Sequence, residues 1–188
     1  DDQLWSDPSS HGEVHGWDFV DHDADLRESD PTRSHGSSVA GVAARGTKLV
    51  QIMPLRVQDS RESSDSMLPD RLVEAIDFAV SNGARIINIS LWVLWDEEGI
   101  SKIRNAMNRH AANGTVFVLG AGNDGQRLDE SRHKQEHHLQ KTELPNVAVV
   151  AAANSEGKPW MGENAGTSFG DRWVRLAARG EGVTTAGS

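Results

Sequence analysis

Residues 84–125 read ARIINISL (84–91), WVLWDEEGISKIRNAMNRHAANG (92–114) and TVFVLGAGNDG (115–125). The outer segments are rich in β-branched residues and apolar on both faces, the pattern of strands buried within a parallel sheet. Between them, from Glu97 to Asn113, Ile100, Ile103, Met107 and Ala111 recur at helical spacing, and Gly114 follows where a left-handed stop belongs. Strand, helix and strand in that order form a crossover unit, the building block of an α/β sheet.

The alternation continues in both directions. Upstream, KLVQIMPLRV (48–57) reads as a strand and QDSRESSDS (58–66) as a polar loop. Leu72, Val73, Ile76, Ala79 and Val80 then predict a helix over 68–82, closed by Gly83. Downstream, the His-rich connection QRLDESRHKQEHHLQKTE (126–143) leads to a strand NVAVVAAA (146–153), and WVRLAA (173–178) supplies a last short one. The expected fold class is α/β, a three-layer αβα arrangement around a mostly parallel central sheet. With no internal repeat and no linker, residues 1–188 read as one domain.

Composition narrows the function classes. Lys plus Arg number 19 against 28 Asp plus Glu, a formal net charge of -9 that disfavours nucleic acid or an anionic membrane as partner. No apolar run has the length of a membrane span, and the opening DDQLWSDP has no signal-peptide character. The absence of cysteine excludes disulfides, thiolate catalysis and Cys-based zinc sites, while leaving the compartment open.

Two segments carry chemistry. In DPTRSHGSSVAGVAARG (30–46), His35 precedes Gly36 and a run of small residues able to start a closely packed helix, a suitable place for a general base facing a cleft. In TVFVLGAGNDG, an apolar strand ends in small residues and Asn123, whose amide is suited to donate to an oxyanion at the carboxyl edge of the sheet. That edge is where open α/β sheets bind ligands.

Taken together, the segments resemble the subtilisin-like serine protease family (subtilases, peptidase S8). GWDFVDHDADLRESDPTRSHGSSVAG (16–41) is similar to the family's catalytic-histidine region, IINISL (86–91) to its substrate-flanking strand, and LGAGNDG (119–125) to its oxyanion turn. LPNVAVVAAANSEG (144–157) and SFGDRWVRLAARGEGVTTAGS (168–188) are similar to the strands that precede its nucleophile, so the likeness spans the chain in family order.

The resemblance implies a serine endopeptidase with His35 as general base, Asn123 as oxyanion donor and Asp1 as the carboxylate orienting the base, with Asp2 as the fallback. It also implies a substrate-binding edge made of Ser90, Leu91, Trp92, Gly120, Ala121 and Gly122. A protein or peptide is the expected substrate, a propeptide is allowed for, and an extracellular or periplasmic location is expected. No cofactor or metal is called for: the short interval between His35 and KLVQIMPLRV leaves no room for the calcium loop of secreted bacterial members.

Several positions depart from the family. Gln3 stands for a glycine, Ser38 for a second histidine, Arg179 interrupts an Ala-Pro-Gly, and Trp92 replaces the glycine that opens the specificity pocket. No Gly-Thr-Ser with a small-residue helix is present, and Ser188 is not taken as the nucleophile. The expectation is therefore a peptidase domain cut before its serine, inactive in isolation. The alternative is a pseudoprotease or binding module that keeps the fold without catalysis.

Three rival motifs are set aside. Gly120, Gly122 and Gly125 spell GxGxxG, but the next strand ends in Asn154 where a dinucleotide fold needs an acid. His133, Glu136 and His137 spell HxxEH within so polar a stretch that a solvated loop is the better reading. Asp21, Asp23 and Asp25 lack the glycine and glutamate of an EF-hand and read as a polar turn.

Overall fold

The computed structural model describes residues 3–10, 14–27, 35–58, 67–91, 96–129, 139–163 and 165–185. It divides into two compact units, residues 1–82 with 184–188, and residues 83–183.

In the first unit, β1 (Trp17–Asp18) pairs in parallel with β2 (Leu55–Arg56), and a parallel bridge joins Leu4 to Ile52. The strand expected over 48–57 is therefore shorter than its apolar run. Pro54 has no N–H to give a ladder, so regular pairing resumes only beyond it. Its carbonyl accepts the Trp17 N–H, and a Cβ on Gly16 would lie 2.0 Å from that oxygen, so the close approach requires glycine.

Helix α1 (His35–Ala43) contains the predicted histidine at the start of its described residues. Helix α2 (Leu68–Ser81) has Pro69 in its first turn, where a missing N–H costs nothing, and it buries Leu68, Leu72, Ala75, Ile76 and Ala79. Beyond it Gly83 takes a left-handed φ of 85°. Phe78 on α2 meets Trp5 and Phe19 edge to face, with ring centroids 6.4 and 5.8 Å apart. Within β1, the fully buried Asp18 is ion-paired with Arg56, and its Oδ1 accepts the N–H groups of Val20 (2.7 Å) and Asp21 (3.1 Å). Asp21 also pairs with Arg56 at 2.9 Å, and Asp23 and Asp25 close the local turn, as their spacing suggested.

The second unit is a four-stranded parallel sheet in the order β3 (Ile86–Ile89), β4 (Val116–Gly120), β5 (Val147–Ala153), β6 (Leu176–Arg179). Helix α3 (Glu97–Arg109) makes the β3–β4 crossover. Asp96 caps it by accepting the Gly99 N–H at 2.8 Å, and Ile100, Ile103, Ala106 and Met107 form its buried stripe. A 3₁₀ turn, Ala111–Asn113, follows and ends on Gly114 at φ 74°, so the helix stops four residues before the expected Asn113. Asn146 donates to the carbonyls of Met107 (3.0 Å) and Thr115 (3.2 Å), tying the end of α3 to the start of β4.

The parallel α/β class read from the sequence is the one observed. Burial along the strands is uneven. Ile89, Phe117, Leu119, Val149 and Ala151 are buried on one face, whereas Ile86 is 70% exposed, Leu176 56% and Val116 41% on the other. Likewise α1, small and apolar, has no buried residue, against the close packing expected of it. Continuous apolar strands presuppose helices on both faces. The exposed residues are the first of their strands, Ile86 of β3, Val116 of β4 and Leu176 of β6, while Val118 and Val150 on the same face are half-buried. β6 also begins later than expected, at Leu176; Trp173 ahead of it lies under the guanidinium of Arg172, 4.3 Å from its ring centroid.

Candidate active site

The carboxyl ends of β3 and β4 lie side by side. The register pairs Ile89 with Leu119, which places Ser90 next to Gly120 at the edge of the sheet. Ser90 Oγ accepts the Asn88 amide at 2.9 Å, and Gly120 O accepts the amide of the buried Gln140 at 3.1 Å. Ala121 is 2% exposed and makes the last β4–β5 bond, its N–H donating to Val150 O at 2.9 Å.

Beyond Ala121 the chain turns. Gly122 has φ 106° and Gly125 has φ 64°, both in the region that favours glycine, so GAGNDG is a tight turn presenting Asn123 between two residues free of Cβ strain. Asn123 is exposed. Its backbone is held: the carbonyl accepts the Gly166 N–H at 3.1 Å, and the flanking Gly122 O accepts the Ser168 N–H at 2.8 Å. Its side-chain amide forms no hydrogen bond among the described residues, so both N–H groups are available to a ligand. Asn123, Asp124 and Gly125, with Met161, Gly162, Ala165 and Gly166, line an open cavity of about 440 Å³.

The segment 165–169 that grips this turn was not anticipated as part of the site. Glycine, serine and threonine in ENAGTSFG read locally as a loop, and only the long-range pairing with residues 122–128 gives it a role. The same holds for Gln140, a polar residue in a polar stretch whose burial no periodicity signals. Next to these loops, Asp129 accepts the N–H groups of Asp171 and Arg172, and Arg172 pairs with Glu143, whose carboxyl is held below its ordinary value by that hydrogen bond.

His35 occupies the first described position of α1 in the other unit and is exposed. Gln3, which stands where the family has glycine, donates to the carbonyls of Thr47 and Ala44 just beyond the end of that helix. Asp1, Asp2, Trp92, the HxxEH stretch and Ser188 lie outside the described residues. The structure thus brings together Ser90, Leu91, Gly120, Ala121, Gly122 and Asn123 at one sheet edge, while His35 is described within its own unit. Asn154, which argued against a dinucleotide fold, accepts the N–H groups of Glu156 and Lys158 at 3.0 Å each and so closes a turn.

A crossover-built parallel sheet with a donor-bearing turn at its carboxyl edge is the α/β arrangement whose ligand sites fall at that edge. The sequence model of the Subtilase family matches residues 3–188, and the chain belongs to that family. It is 28% identical over 190 residues to the thermophilic serine proteinase of Bacillus sp. (strain AK1), covering 96% of this chain and 42% of that protein. It is 32% identical over 122 residues to thermitase of Thermoactinomyces vulgaris, covering 60% of this chain and 40% of that protein. Among solved structures, a lanthipeptide protease superposes with a TM-score of 0.69 at 26% identity, covering 88% of this chain and 47% of that one. The three-layer α/β fold is therefore that of the subtilases, and the chain spans less than half the length of these relatives.

Proposed function

We propose that the full-length protein is a serine endopeptidase acting by acyl transfer. A serine beyond these residues attacks the peptide carbonyl, and His35 takes its proton and delivers it to the leaving amine. Asp1 orients the imidazole and Asn123 donates to the oxyanion. Ser90, Leu91, Trp92, Gly120, Ala121 and Gly122 flank the substrate chain. The substrate is a protein or peptide, the location is extracellular or periplasmic, and the reaction asks for no cofactor.

The observation that carries this reading is the amide of Asn123, without a partner among the described residues, on a glycine-flanked turn at the carboxyl edge of β4 in a chain that belongs to the Subtilase family. An oxyanion donor needs a held backbone and an N–H left open to the substrate. Labelling of the purified full-length protein with a fluorophosphonate tests it. Covalent modification of one serine, lost in His35→Ala, is expected. A matured protein that is neither labelled nor able to cleave a casein panel would instead be a subtilase scaffold without catalysis.

A further inference from the structure

The geometry points to Thr167 as the positioning residue for Asn123, a role that rests on the proposed oxyanion function and adds to it. In an unbroken parallel ladder, the strand bond Ala121 N–H to Val150 O (2.9 Å) would be followed by one from the Ala152 N–H to the Ala121 carbonyl. That bond is not made. The Ala152 N–H goes instead to Thr167 Oγ1 at 2.9 Å. The threonine hydroxyl thus stands in for a β4 carbonyl at the point where β4 leaves the sheet.

The residues on either side of Thr167 then take hold of the departing chain. Ser168 N–H donates to Gly122 O (2.8 Å), Gly166 N–H to Asn123 O (3.1 Å), and Gly125 N–H returns to Gly166 O (2.7 Å). Thr167 and Ser168 are 4% and 0% exposed, so these bonds are shielded from water. The Thr167 N–H donates to Trp160 O at 2.9 Å, and the Trp160 N–H to Ala152 O at 2.9 Å, closing a loop of bonds around the same point of β5. Because the Asn123 side chain has no partner of its own among the described residues, the point from which it projects is set by its backbone alone, and that backbone is referred to the sheet through the Thr167 hydroxyl. Thr167 touches no reacting atom; it acts through Asn123.

The test is kinetic, on the full-length protein. Thr167→Val keeps the shape and removes the acceptor. It is expected to lower kcat about tenfold with KM changed less than about twofold, since a misplaced donor weakens only transition-state binding. Thr167→Ser, which keeps the hydroxyl, is expected to retain kcat within about twofold. In an Asn123→Ala background, Thr167→Val is expected to cost less than about twofold further, because the group it positions is gone. In the wild type the Ala152 amide is expected to exchange with deuterium as slowly as that of Ala121.

Equal losses from Thr167→Val with and without Asn123, an equal fall for Thr167→Ser, or an Ala152 amide exchanging as fast as an exposed loop each overturn the inference. If Asn123→Ala itself leaves kcat unchanged, the oxyanion assignment falls and this inference with it. A large loss in Asn123→Ala combined with additive behaviour of Thr167→Val overturns the inference alone.

Discussion

Replacing His35 by alanine in the full-length protein is expected to lower kcat for peptide hydrolysis by about 10⁴- to 10⁶-fold, the range spanned by single triad removals in subtilisin itself. The size follows from the role. Without the imidazole the serine stays protonated and the leaving amine receives no proton, and neither loss is repaired by binding energy. His35 lies on α1, a helix of small residues, and is exposed, so its removal leaves no cavity in the core. Thermal unfolding within a few degrees of wild type should therefore accompany the loss. Activity within tenfold of wild type would remove His35 from the mechanism, and a parallel collapse of stability would make its role structural.

The largest effect on stability is expected at Arg56. Asp18 is completely buried, and Arg56, itself only 15% exposed, is the cation paired with it. Removing the guanidinium in Arg56→Ala leaves a carboxylate in the interior with two backbone N–H donors and no charge partner. Breaking a buried pair from one side costs about 3–5 kcal/mol. Urea unfolding should show the midpoint falling at unchanged slope. Arg56→Lys, which restores a charge without the fork, should recover part of the loss. A change under about 1 kcal/mol in Arg56→Ala would mean that the carboxylate is solvated after all.

The fold was legible wherever periodicity and punctuation agreed. α2 lies over 68–81 and stops before Gly83, and β4 and β5 fall within the apolar runs that name them. The misreadings have local causes. Pro54 removes a ladder donor that hydrophobicity cannot register, so β2 shrinks to two residues. Ile86, Val116 and Leu176 look like core residues because composition records what a strand is made to bury, yet each is the first residue of its strand and lies exposed at that end.

The site was legible in part for the same reason. Asn123 stood out because a polar residue between glycines at the end of an apolar strand is a local pattern. Thr167, Ser168 and Gln140 did not, since their importance comes from partners 15 or more residues away: Ala152 for Thr167, Gly122 for Ser168 and Gly120 for Gln140.

The proposal as a whole requires that the ring of residue 35 and the carboxamide of residue 123 converge on one reacting carbon. A crystal structure of the full-length protein carrying a peptide boronate on its serine would measure this directly. The expected result is His35 Nε2 and Asn123 Nδ2 each within about 3.2 Å of an oxygen of the adduct. An adduct with either group turned away, its boronate oxygens held by other donors, would contradict the account.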